Sequence, residues 1–262
     1  MSAKEVPGDA SGRGADYFDH WYADMQTHTT KDSLLARRFE LPADLGSAGA
    51  LHWDAVLEIT RELRVPAGGL LVDLACGRGG YGIEVARRSE ARLIGVDFSA
   101  VALKRARAIA DRRLLPEQAE FCLGSLTDTA LPTGAAAAVM CTDSVQFAEP
   151  PVAALREIRR ALRPGGRVAL TTWQPVSPGD PRLSPRLRYL DLDADLQKAG
   201  FDEVRVEERP TWRAAERRLW EEAVSMPNEN NDNALASLQH EGHRSLETFD
   251  ALRRVAAYAT AP

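Results

Sequence analysis

One stretch limits what this chain can fold into more than any other: Leu70-Leu71-Val72-Asp73-Leu74-Ala75-Cys76-Gly77-Arg78-Gly79-Gly80-Tyr81-Gly82. An apolar run ends in an acid and then in a glycine-rich turn, after which Ile83, Val85 and Ala86 begin a helical pattern. This order predicts strand, tight turn and helix, with the helix N-terminus aimed at whatever the glycines allow to approach. Gly77 and Gly79 carry no side chain to block a ligand, and either can take a positive φ. A second acid, Asp97, closes the run Arg92-Leu93-Ile94-Gly95-Val96. It stands about 20 residues beyond Gly77, the separation expected of an acid on a nucleoside ribose. The pattern implies an adenosine-containing ligand at the carboxyl edge of a parallel sheet.

Two nucleoside cofactors compete for such a site. Gly77-Arg78-Gly79-Gly80-Tyr81-Gly82 satisfies the dinucleotide fingerprint G-x-G-x-x-G. Asp73 separates the alternatives. A dinucleotide would set an anionic pyrophosphate over this turn, where a neighbouring carboxylate repels it. S-adenosylmethionine would set its amino acid end there, and the ammonium would be drawn to Asp73. The fingerprint also lies behind an N-terminal segment rich in aromatic residues. These features favour S-adenosylmethionine over a nicotinamide or flavin dinucleotide.

Three stretches in order carry a family resemblance. Val72-Asp73-Leu74-Ala75-Cys76-Gly77-Arg78-Gly79 resembles motif I of the class I S-adenosylmethionine-dependent methyltransferases. Gly95-Val96-Asp97-Phe98-Ser99 resembles their acidic second motif, and Leu162-Arg163-Pro164-Gly165-Gly166-Arg167 the turn before their fifth strand. The resemblance implies an α/β, Rossmann-like sheet, mostly parallel with the last strand antiparallel, with helices on both faces and helical lid elements. It implies S-adenosyl-L-methionine as cofactor, S-adenosyl-L-homocysteine as product, and no metal. Asp73 is then expected to accept from the methionine ammonium, while Gly77 and Gly79 let the backbone meet the methionine end. Asp97 is expected to accept both ribose hydroxyls. Phe98 and Leu126 would take the two faces of the adenine, and Asp143 and Ser144 would hold the methionine end. Tyr22, Ala75, Ser99 and Ser125 belong to the same expected site. The family often places an acid at the position of Ser125 to bond the adenine amino group. Here a hydroxyl, the backbone or Asp128 must do so.

The chain has 262 residues, 44% apolar and 27% charged, with a formal net charge of −5. That is ordinary for a globular protein and implies no broad basic surface, so a nucleic-acid partner is not expected. Arg156, Arg159 and Arg160 read as a solvated helix face. No apolar run is long enough to span a membrane. The polar N-terminus lacks an apolar signal core, so a cytoplasmic protein is expected. Cys76, Cys122 and Cys141 are too few and scattered for a disulfide framework or a zinc site.

The expected organisation is a disordered tail over 1–15, an N-terminal helical lid over 16–64, and a methyltransferase domain over 65–262 with a helical cap insertion at about 210–252. Tyr17, Phe18, Trp21, Tyr22 and Met25 recur at helical spacing in the lid. Strands are expected at 70–74, 92–96, 119–123, 136–141, 168–173, 201–208 and 255–260, and cap helices at 214–224 and 234–252. Methyl transfer from a sulfonium asks chiefly for alignment and exclusion of water; a base is needed only if the acceptor must lose a proton. His20, His28, His52, His240 and His243 all lie in the lid or cap, and His20, in the aromatic stripe, is the candidate base. The acceptor is expected to be a small organic molecule, O-methylated first, N-methylated second. Methylation of RNA or protein, and cofactor binding without methyl transfer by a regulator or cyclase, are the alternatives. A homodimer is possible.

Overall fold

The alternation of apolar runs and amphipathic segments after Leu70 builds one seven-stranded sheet flanked by helices. The computed structural model describes residues 19, 22, 30–42, 44–46, 49–114, 117–228 and 232–262. Strands β1 (Leu70–Leu74), β2 (Arg92–Asp97), β3 (Ala119–Leu123), β4 (Ala136–Thr142), β5 (Leu162–Pro175), β6 (Asp202–Glu208) and β7 (Leu252–Thr260) stand in the order β3-β2-β1-β4-β5-β7-β6. The first five pair in parallel, and β7 inserts antiparallel between β5 and β6. The order reverses between β1 and β4, which opens a crevice at the carboxyl ends of those strands.

Helices α1 (Thr30–Arg38), α2 (Trp53–Leu63), α3 (Gly80–Ser89), α4 (Ala100–Arg113), α5 (Pro151–Ala161), α6 (Pro185–Arg188), α7 (Leu192–Ala199), α8 (Pro210–Ser225) and α9 (Asn233–Glu247) surround the sheet. Local chemistry sets their ends. Ser99 Oγ accepts the Ala102 N–H at 3.1 Å, and Asp191 accepts from Asp193 and Ala194, so each helix begins at a side-chain cap. Gly200, at φ 85°, closes α7. His52 Nδ1 accepts the Asp54 N–H at 3.2 Å and caps α2, while His240 and His243 lie exposed on α9.

Alternation along the strands divides the core. Ile59, Ile83, Leu93, Leu103 and Tyr258 pack with α2, α3 and α4 on one face. Val72, Val139, Leu155, Leu196 and Val255 pack with α5 and α7 on the other. A third cluster joins Leu34 and Leu35 of α1 to Leu219 of α8 and Leu238 of α9. The cap helices are therefore bound to the helix that precedes the sheet.

Some boundaries differ from the sequence reading. β5 begins at Leu162, because Leu162 pairs with Ala136 ahead of a register shift. Helix α8 begins at Pro210, where proline suits a first turn. The second cap helix stops at Glu247 and a 3-10 turn at Phe249–Ala251 follows. β7 then starts at Leu252, because that residue pairs with Pro175.

Leu219 is fully buried at the α1–α8–α9 junction. Leu219→Ala should cost about 3 kcal/mol of unfolding free energy, the scale of a large-to-small core change with partial collapse. Urea denaturation followed by circular dichroism reads this directly, and a loss below about 1 kcal/mol would show that the junction is not cooperative with the sheet.

Candidate functional site

The turn from β1 into α3 is built from residues forced into left-handed backbone: Ala75 at φ 59°, Gly77 at φ 53° and Gly79 at φ 77°. At Gly77 a Cβ would lie 2.6 Å from the hydroxyl of Tyr22, which is itself buried. The turn therefore requires glycine there for space as well as for conformation.

Asp97, at the end of β2, accepts the Gly77 N–H at 2.8 Å and the Ser99 N–H at 2.9 Å. One carboxylate thus ties the glycine turn of one unit to the helix cap of the next. Burial holds Asp97 above the usual carboxylate range, against the pull of its backbone donors. Ser99 hydrogen-bonds Asp19, whose carboxylate also takes the Val101 N–H at 3.3 Å.

Asp73 is 2% exposed. It accepts the N–H of Gly82, where an added Cβ would sit 2.4 Å from Asp73 Oδ2. Burial, and after it the charge of Asp97, push Asp73 up to about 8. At neutral pH this acid holds its proton unless a cation comes to it. Burial likewise raises the Cys76 thiol and the Tyr22 phenol, so both stay protonated.

Beside this turn is a cavity of about 380 Å³. Of the expected residues, Tyr22, Ala75, Asp97, Phe98, Leu126 and Ser144 line it, as does Ser125. The sequence reading missed Thr127 and the group Phe147, Ala148 and Glu149, which enter because a 3-10 turn at Val145–Phe147 folds the segment after β4 back over the opening. Asp73, Gly77, Gly79 and Ser99 form the frame behind the cavity wall. Ser125 Oγ accepts the Thr127 and Asp128 N–H groups at 3.3 and 3.0 Å, and Asp128 Oδ1 accepts the Ala130 N–H at 3.2 Å. Both side chains at the expected adenine contact are thus engaged in their own turn. His20 and His28 fall outside the described residues.

Asp143 does not face this cavity. Its carboxylate makes a two-point ion pair with Arg254 of β7, Arg254 Nη2 donating to Oδ2 at 2.7 Å, and accepts the Thr171 hydroxyl at 2.9 Å. The position expected to hold the methionine end instead binds the end of β4 to the antiparallel strand. Arg254 is 1% exposed, and its Nε lies 3.7 Å from Glu216 of α8. Burial pushes Glu216 up to about 8, against the attraction of Arg254 and with Asp143 and Glu241 adding to the rise. The cue for this group in the sequence is the pair Arg253-Arg254 directly ahead of the apolar run Val255-Ala256-Ala257-Tyr258-Ala259.

Among the described residues, no group of three or more His, Cys, Asp or Glu side chains could hold a metal ion, and no helix is long and apolar enough to cross a membrane.

Fold, turn and cavity define a class I S-adenosylmethionine-dependent methyltransferase architecture. Residues 71–166 match the profile of the family described as "Methyltransferase domain". The chain is 30% identical over 117 residues to a chloroplastic tocopherol O-methyltransferase of Arabidopsis thaliana, covering 44% of this chain and 34% of that one. It spans 34%, 58% and 38% of three curated relatives that it matches. Among solved structures, phosphoethanolamine N-methyltransferase 2 of Haemonchus contortus, in complex with S-adenosyl-L-methionine, superposes with a TM-score of 0.71 at 20% identity, covering 94% of this chain and 60% of that one. The [4+2]-cyclase SpnF superposes with a TM-score of 0.69 at 22% identity, covering 84% and 82%. Residues 71–166 thus match a methyltransferase domain, and the cofactor that goes with that family is S-adenosyl-L-methionine.

Glu216 gives the fold a pH dependence with a defined sign. The folded protein keeps at Glu216 a proton that an unfolded chain releases near the ordinary glutamate value of 4.5. Stability from this group is full below that value and is lost as pH rises to about 8. Unfolding free energy should therefore fall between about pH 5 and about pH 8, and Glu216→Gln, which keeps the shape of the protonated acid, should flatten that fall. Equal pH slopes in the two proteins would remove Glu216 as the source.

Proposed function

We propose that the protein transfers the methyl group of S-adenosyl-L-methionine to a small organic acceptor, with an oxygen as the first choice of methylated atom and a nitrogen as the second. The observation that carries this reading is Asp97, at once the wall of the 380 Å³ cavity and the acceptor of the Gly77 and Ser99 N–H groups. A carboxylate so placed serves a ribose, and its charge disfavours a phosphate at the same point.

The residues present fit the cofactor. A left-handed Gly77 keeps the turn open, Phe98 and Leu126 offer apolar surface for a base, and Asp73 stands ready for a cation. The cofactor supplies an activated methyl on a sulfonium. The chain's part is to hold and align: Asp97 fixes the sugar end, and Asp73 balances an ammonium by giving up its proton. Ser144, at the end of β4, stands on the wall nearest the switch point. The cap of α8 and α9 packs on α1 and supplies none of its described residues to the cavity wall.

Selection of a small acceptor is supported by the acidic net charge of −5 and by the resemblance over 117 residues to a protein named as an O-methyltransferase of tocopherol. The second reading, cofactor binding without methyl transfer, has support of its own in a fold neighbour named as a [4+2]-cyclase. Product mass distinguishes them. Incubation with S-adenosylmethionine and a panel of phenols, alcohols and amines should yield an acceptor heavier by one methylene and an equivalent of S-adenosylhomocysteine. A rearranged acceptor of unchanged mass would support the cyclase reading.

Two binding experiments test the roles of the acids. Asp97→Ala should weaken S-adenosylhomocysteine about a hundredfold, the combined value of two hydrogen bonds to a charged acceptor, with the far-ultraviolet spectrum retained. Asp73, at about 8 without a ligand, should release its proton when an ammonium arrives. Calorimetric titration at neutral pH in buffers of different ionisation enthalpy should show proton release, and Asp73→Asn should abolish it. An enthalpy independent of buffer in the native protein would overturn the assignment of Asp73.

A further inference from the structure

A second cavity, of about 430 Å³, opens on the far side of the glycine turn and shares no lining residue with the first. Leu35 of α1, Leu41 and Leu45 of the following loop and Ile109 of α4 give it an apolar floor. Its rim is charged, carrying Arg78, Arg105, Arg112, Asp32 and Asp44.

The charges on this rim do not all cancel. Arg78, 5% exposed, donates to Asp32 at 2.8 Å. Asp44 pairs with Arg113 at 3.5 Å. Arg112 is exposed to water. Arg105 differs from all of these. It is half-buried, and its Nη1 is buried without a hydrogen-bond partner, as are Arg78 Nε and Arg113 Nη1, but unlike those two arginines it makes no ion pair among the described residues. Burial, and then repulsion from Arg78, hold its basicity down, with Asp32 only partly offsetting them. A guanidinium nitrogen shut away from water without an acceptor is costly. A wall that supplies one such donor above an apolar floor suits a ligand with one negative charge and an apolar body.

We infer that this cavity is a binding site for a small apolar carboxylate, with Arg105 as the group that receives its charge and Leu35, Leu41, Leu45 and Ile109 as the surface that receives its hydrocarbon. Arg105 is the lining guanidinium that is both withdrawn from water and without an ion pair among the described residues, and one such group matches a monoanion. Inorganic phosphate, with more charge and no apolar part, does not match the floor. The site is separate from the proposed cofactor cavity. The inference stands on the second cavity alone and does not depend on which atom the enzyme methylates.

The test is calorimetric or fluorescence titration of the whole protein with octanoate, and with octanamide as its uncharged counterpart. Octanoate should bind saturably, and octanamide should bind at least about tenfold more weakly, because it lacks the charge. Arg105→Gln should weaken octanoate at least about tenfold. Ala108→Phe, at an exposed helix position on the cavity wall, should abolish octanoate binding by filling the space. In both variants S-adenosylhomocysteine should bind within about twofold of the native protein, as expected of separate sites. The inference is overturned if octanoate does not saturate in the millimolar range, if the amide binds as well as the acid, or if neither variant changes octanoate affinity. It is also overturned if S-adenosylhomocysteine displaces octanoate competitively, since the charge would then belong to the cofactor's own carboxylate. Displacement by inorganic phosphate at equal concentration would overturn the apolar part of the claim.

Discussion

Two backbone N–H groups from different βα units end on one carboxylate, that of Asp97, at 2.8 and 2.9 Å. Gly77 stands in a left-handed turn that a side chain would clash with, and Ser99 caps α4. Because Asp97 is 4% exposed, these bonds form without competition from water. They fix the turn after β1 against the turn after β2, and with it the position of Ala75, Asp97 and Phe98 on the cavity wall. The N-terminal segment joins the same system through Asp19 on Ser99 and Tyr22 over Gly77.

Buried charge is organised differently on the two sides of the switch point. Toward β2, Asp73 and Asp97 are two acids in a small volume, and their mutual repulsion adds to the burial that keeps Asp73 protonated. Such a pair is poised for a cationic ligand, because binding relieves the cost that folding left in place. Toward β7, Asp143 and Glu216 share a single guanidinium, Arg254. Both oxygens of Asp143 take the close contacts, and burial leaves Glu216 its proton. Of the first pair, Asp97 lines the 380 Å³ cavity and Asp73 stands behind its wall. The second fastens the cap to the sheet, and its worth lies in fixing where α8 sits more than in net stability.

The sequence showed the elements that depend on local pattern. The glycine turn, the two acids at the ends of β1 and β2, Ser99 as a cap and Gly200 as a helix stop were all legible, because each rests on backbone preferences acting within a few residues. Asp143 was read by proximity to β4 as a ligand of the methionine end. The side chain turned to Arg254, 111 residues away in the chain, a partner that no local pattern reveals. The ends of β5 and β7 moved outward for a similar reason: a strand runs as far as its neighbour offers hydrogen bonds. Glu149 and Phe147 joined the cavity because a short 3-10 turn redirects the chain.

The sequence by itself determined the class of fold and the cofactor that goes with it. A carboxylate, a glycine turn and a second carboxylate at that spacing are imposed by the covalent geometry of a strand turning into a helix beneath a nucleoside. Tertiary structure alone decided which charges are compensated. Arg105 lies on the second cavity and makes no ion pair among the described residues, while Arg78 and Arg254 are held by acids from distant segments. In sequence these arginines look alike. Their difference arises only when packing removes water and fixes which acid is within reach, since the cost of an unpaired charge depends on its surroundings and not on its neighbours along the chain.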